Sequence, residues 1–171
     1  MRSESVTRVL VTGATGFIGL NLLEHLSGDG YEVVGLAHRP LPRMAHDWLA
    51  ATGSAPLVEP VDVRDPDAVE ALLVRHRPDV VIHAAAVTAG ADRERADART
   101  IIDVNVGGTQ SVLDACRAVG VDRFVHVSSG AVYGAATFGS ATLDEHTCPE
   151  PTGLYGVTKH TAERLVPVSY T

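Results

Sequence analysis

The stretch "VTGATGFIG" (Val11–Gly19) decides how the rest of the chain is read. It follows the β-rich run Arg8–Thr12 and leads into "FIGLNLLEHL", where Ile18, Leu22 and Leu26 recur every four residues, the period of a helix. The unit is therefore strand, glycine turn, helix. Gly13, Gly16 and Gly19 are spaced G-x-x-G-x-x-G. Small residues at such a turn let backbone approach a pyrophosphate, and the free N–H groups and positive end of the helix face the anion. Gly13, Thr15, Gly16, Phe17, Ile18 and Gly19 are accordingly expected to bind the phosphates of a dinucleotide. The competing reading is a tight turn whose glycines serve geometry alone.

Working outward, the same alternation repeats. A second strand is expected at Glu32–Ala37, and a third, weaker one in "PLVEPVDV", ending at Asp62. In "DPDAVEALLVRH", Asp65 suits a helix N-cap, Pro66 the first helical position, and Val69, Leu72 and Leu73 form an apolar stripe. "DVVIHAAA" reads as the fourth strand. A long helix follows, with Ile102, Val106, Thr109, Leu113 and Cys116 as its inward face, until Gly120 stops it. "RFVHVSS" is the fifth strand.

Continuous apolar strands alternating with helices predict a doubly wound α/β domain, a Rossmann-type parallel sheet of about five strands with helices on both faces. At 171 residues the chain suits one domain. Leu41–Ser54, Thr88–Arg99 and Ala135–Gly153 lack pattern and are expected to be loops or lids, with Met44 and Trp48 as helix core.

Composition excludes several classes. A net charge of −7 argues against a nucleic-acid partner held through phosphates. No apolar run reaches the length of a membrane span, and "MRSESVTRVLVTG" contains no secretory h-region, so the cytoplasm is expected. Cys116 and Cys148 stand in unrelated contexts and read as reduced thiols. His25, His76, His126, His146 and His160 show no metal-ligand spacing, so no metal is expected.

The end of the second strand selects the dinucleotide. An acid there would accept from the ribose 2′-OH of NAD, but Ala37 occupies the position, followed by His38 and Arg39. Arginine accommodates a 2′-phosphate, which favours NADP over NAD; a solvated surface Arg39 is the alternative. Asp62, with Val63 beside it, could hold the adenine amino group or help cap the next helix.

Lys159, the only lysine among fourteen Lys and Arg residues, lies four positions after Tyr155. On a helix the two side chains are neighbours. An ammonium beside a phenol favours the phenolate, which suits a general acid or base. Ser129, at the end of the fifth strand, could hold a substrate oxygen. The alternative is an ordinary amphipathic helix with a surface lysine.

Six motifs in order, "VTGATGFIG", "DVRD", "VIHAAA", "VNVGGT", "VHVSSGAVYG" and "LYGVTKHTAE", make the chain resemble the extended short-chain dehydrogenase/reductase family, in its NAD(P)-dependent epimerase/dehydratase group. The resemblance implies Ser129, Tyr155 and Lys159 as the catalytic set, with Lys159 also holding the nicotinamide ribose. It implies Asn105 as the helix-borne group that steadies the lysine through a water, and Ala84, Ala85 and Ala86 along the adenine and ribose side of the cofactor. The implied reaction is hydride transfer to or from a nucleotide sugar, ending in 4-epimerisation or in release of an oxidised or reduced product. Dehydratases of this group carry Asp-Glu directly after the active-site Ser or Thr, whereas Gly130 and Ala131 stand here, which disfavours elimination of water.

The resemblance also implies a sixth strand and a C-terminal substrate domain beyond the Tyr-Lys helix. The helix is expected to end at Val166, before Pro167, and the sequence stops at Thr171. Three readings follow: a fragment of an epimerase or reductase, a short form that dimerises through the uncovered face, or a non-catalytic dinucleotide-binding module. The first is preferred because the whole catalytic set is present. His83 is read as packing, and Arg93, Arg95 and Arg99 as a solvated helix face rather than a clamp for substrate phosphates.

Overall fold

Runs such as Val9–Val11 and Val33–Val34 have apolar side chains on both faces, so these central strands need cover above and below. The computed structural model, which describes residues 6–53, 56–88, 90–139 and 142–169, supplies it. Strands β1 (Arg8–Thr12), β2 (Glu32–Ala37), β3 (Leu57–Pro60), β4 (Val80–His83) and β5 (Arg123–His126) form one parallel sheet in the order β3-β2-β1-β4-β5. On one face Leu10, Leu36 and Val81 pack against α3 (Pro66–His76) and α6 (Gly108–Val119). On the other, Val9, Val11 and Val33 meet Leu23 of α1 (Phe17–Gly28) and Leu49 of α2 (Arg43–Ala51). The doubly wound architecture is the one expected. Because the chain leaves β1 first toward β2 and later toward β4, the two diverge at the carboxyl ends of adjacent strands, where such sheets open a crevice.

Local signals account for the ends of the elements. The Asp65 carboxylate accepts the Ala68 N–H at 3.1 Å, with Pro66 as the first residue of α3. Gly120 closes α6 in the left-handed region at φ 74°.

Several expectations need correction. The third strand stops at Pro60, and Val61 to Val63 leave the sheet to line its crevice. Leu41–Ser54 is no loop but carries α2, whose inward side is Leu49; Met44 is 83% and Trp48 40% exposed, one step round the helix from the buried face. Thr88–Arg99 contains α4 (Ala91–Ala96) and the start of α5 (Ala98–Ile102). Gly130–Phe138 is a 3-10 segment that enters the third predicted loop. Ser54, Ala89, Ser140, Ala141, Tyr170 and Thr171 lie outside the described residues.

The long helix is interrupted by a π-helical turn at Asp103–Gly107. Such a turn adds one residue and shifts the inward face by one position. Ile101, not Ile102, is therefore buried, followed by Asn105 and Thr109. The last helix, α7 (Leu154–Ser169), runs through Pro167, which removes only its own N–H from the final turn.

Candidate functional site

At the carboxyl ends of β1, β2 and β4 lies a cavity of about 440 Å³. Its floor is the glycine turn, through Gly13, Thr15 and Gly16; His38 and Arg39 follow β2, and Asp62 and Val63 follow β3. Ala84, Ala85 and Ala86 line the side after β4. Sequence reasoning had placed all of these at one site, and the fold brings them together.

Close packing explains the glycines. Gly13 has φ 69°, and a Cβ there would lie 2.8 Å from the Ala84 backbone. Gly19 lies directly under the turn, where a Cβ would collide with the Gly13 carbonyl. Helix α1 starts at Phe17 with no side-chain cap, just after the cavity-lining Gly16, so no capping side chain satisfies its first-turn amides. Phe17 and Ile18 are 86% and 48% exposed and do not line the cavity.

The walls include residues that sequence reasoning missed. Arg64 grips Asp62, with its Nη2 2.6 Å from Oδ2 and its backbone N–H 2.9 Å from Oδ1. The Arg64 hydrogen bonds hold the Asp62 carboxyl down to about 2, against a smaller opposing effect of burial. His38 Nδ1 approaches the same carboxylate at 3.1 Å. Asp62 thus makes a local turn and an ion-pair cluster, while Asp65 alone caps α3. Arg93 also lines the cavity, whereas Arg95 and Arg99 pair with Asp92 and Asp103 on exposed faces. Thr100 enters from α5, ahead of the π-turn, and Val104 from within it, where a regular helical pattern does not reveal the shift in phase.

Tyr155 and Lys159 both lie on α7, and Ser129 precedes the 3-10 segment; none of the three lines the cavity. Gly156 lets α7 pack closely on the 3-10 segment, since a Cβ there would lie 2.5 Å from the Ala131 carbonyl. Ser129 Oγ accepts the Ala131 N–H at 3.2 Å. Lys159 is only 2% exposed, so the surface-lysine alternative does not hold. Its ammonium has no hydrogen bond or ion pair among the described residues. Burial lowers its pKa from the ordinary 10.5 to about 8, with Glu163 pulling the other way.

Behind this helix, His83 is fully buried and stacks on His126 with ring centroids 5.7 Å apart. Burial, then the charges of His126 and Lys159, lower the His83 pKa to about 3; burial and Lys159 lower that of His126 to about 4. Both rings are neutral at ordinary pH. Asn105, 1% exposed, accepts the Val87 N–H at 2.7 Å and donates to Thr158 Oγ1 at 3.0 Å. No described helix is long and apolar enough to cross a membrane.

The sequence matches the NAD dependent epimerase/dehydratase family over residues 9–169. It is 32% identical over 158 residues to a UDP-glucose 4-epimerase of Rhizobium meliloti, covering 92% of this chain and 45% of that protein. It is 37% identical over 164 residues to a dTDP-glucose 4,6-dehydratase of Streptomyces griseus, covering 93% and 48%. The fold superposes with a TM-score of 0.85, at 28% identity, on the UDP-glucose-4-epimerase of Stenotrophomonas maltophila solved with NAD and formylated UDP-arabinopyranose, covering 95% of this chain and 48% of that one. The chain thus spans about half the length of the relatives it matches.

Proposed function

The chain belongs to the NAD dependent epimerase/dehydratase family, and from that membership we propose that it binds a nicotinamide dinucleotide in the glycine-floored cavity and serves hydride transfer on a nucleotide sugar. The observation that carries this reading is one crevice lined by the glycine turn, the ends of β2 and β3 and the alanines after β4, and placed at the divergence of β1 and β4. Gly13, Thr15 and Gly16, with the first amides of α1, would receive the pyrophosphate. Asp62, Val63 and Ala84–Ala86 would flank the adenosine. With Ala37 in place of an acid, and with His38 and Arg39 on the wall, we infer a preference for NADP over NAD.

When bound, the dinucleotide supplies the hydride acceptor and donor. Tyr155 exchanges the proton of the substrate hydroxyl, the buried Lys159 ammonium favours its phenolate form, and Ser129 holds the oxygen. Asn105 acts behind them, fastening Val87 and Thr158 around the lysine-bearing helix. Gly130 and Ala131 offer no acid for elimination of water, which leaves 4-epimerisation or simple oxidoreduction despite the dehydratase among the relatives.

The test is incubation of the protein with NAD or NADP and a panel of UDP- and dTDP-hexoses, following reduced nicotinamide by absorbance and the sugars by chromatography. Turnover lost in Tyr155→Phe supports the reading. Binding of dinucleotide without turnover of any sugar would make the chain a dinucleotide-binding module instead.

A further inference from the structure

We propose that His83 is a positioning residue: as a neutral imidazole with its proton on Nε2, it closes a hydrogen-bonded brace that holds the wall of the dinucleotide cavity in register with the helix bearing Tyr155 and Lys159. Its protons can be assigned from the partners. Thr109 Oγ1 donates to the Asn105 carbonyl at 2.7 Å, which uses its one proton. That hydroxyl therefore accepts from His83 Nε2, 3.0 Å away, so Nε2 carries the hydrogen. Nδ1 is left as an acceptor for the Thr12 hydroxyl at 2.8 Å, and Thr12 Oγ1 in turn accepts the Ala85 N–H at 3.1 Å.

The chain of bonds continues from the other end. Asn105 Oδ1 accepts the Val87 N–H, its Nδ2 donates to Thr158 Oγ1, and Thr158 donates to the Tyr155 carbonyl at 2.8 Å. Ala85 and Val87 both line the cavity, so the brace begins and ends on its wall and branches to the catalytic helix. Asn105, in the π-turn, and Thr109, four residues on, share one helix face and are both buried, which carries the brace along the helix. A protonated His83 would donate from both nitrogens, reversing the Thr12 bond and leaving the Thr12 hydroxyl proton without its Nδ1 acceptor. The groups facing it, His126 and Lys159, oppose that protonation, as does burial.

Histidine-labelled nitrogen spectra of the whole chain, between about pH 6 and 8, should show Nε2 protonated and Nδ1 bare at His83. In Thr109→Val, which removes a group outside the cavity, amide exchange at Ala85 and Val87 should quicken about tenfold and NADPH affinity should fall; Thr109→Ser should restore both. An Nδ1–H tautomer in the wild-type protein overturns the proposal and needs no variant. Unchanged exchange at Ala85 and Val87 in a folded Thr109→Val protein, with only its melting point lowered, also overturns it. The affinity arm rests on the function proposed above. If wild-type protein binds no dinucleotide, that function fails, and the tautomer and exchange results still decide the brace.

Discussion

The Glu94 carboxylate accepts the backbone N–H of Tyr155 at 2.9 Å, joining residues 61 positions apart in sequence. Tyr155 lies in the first turn of α7, where amides lack intrahelical partners and the dipole favours an acid. Glu94 therefore caps the helix from a neighbouring element. Glu94→Ala should destabilise the protein by about 1–2 kcal/mol and quicken amide exchange at Tyr155, with Glu94→Gln intermediate. Chemical denaturation of the three proteins, together with amide exchange, measures both effects.

The floor of the cavity has no room for a methyl group at Gly13. Gly13→Ala places a β-carbon at φ 69° and against Ala84, so it should cost more than about 2 kcal/mol and abolish dinucleotide binding in whatever folded protein remains. Gly28→Ala, within α1 and where a Cβ meets nothing, should leave binding unchanged without loss of stability and serves as the control. Thermal melts with and without NADPH read the two outcomes separately.

Two buried neutral histidines make stability depend on acid. The folded pKa values of His83 and His126, about 3 and about 4, lie below the ordinary 6.5, so the unfolded chain binds more protons in that window. Stability should therefore fall as pH drops from 6.5 toward 4, each group adding a slope of up to about 1.4 kcal/mol per pH unit. His126→Phe should flatten the slope by its own share. Lys159 follows the same logic at high pH: its folded value of about 8 lies below 10.5, so stability rises with pH between the two. Lys159→Met should remove that rise.

The catalytic assignment predicts a division of effects. In a preparation that turns over, Tyr155→Phe should lower kcat by at least about a hundredfold while dinucleotide affinity stays within about twofold. Lys159→Ala should weaken both. An unchanged rate in Tyr155→Phe would remove the tyrosine from the mechanism.

The alternation of strands and helices, the glycine turn and the Asp65 cap were legible because each depends on local chemistry: apolar runs, small residues at a turn, an acid before a proline. What stayed hidden depends on distant partners. Nothing in the sequence signals that the Arg64 guanidinium closes on Asp62 or that Glu94 meets Tyr155. The seven-residue step from Ile102 to Thr109 looked like a regular helical face, but the π-turn makes the true step the eight from Ile101. Met44 and Trp48 show the same limit, since hydrophobic side chains in a short helix do not reveal which side is covered. His83 was read as packing, which its complete burial supports, but its two threonine partners lie 71 and 26 residues away.

The most direct test of the central claim is calorimetric titration of the purified protein with NADPH and then NADH. We predict saturable one-to-one binding of both, tighter for NADPH, with the difference lost in Arg39→Ala and all binding lost in Gly13→Ala. A folded protein that binds neither dinucleotide would contradict the assignment of the cavity.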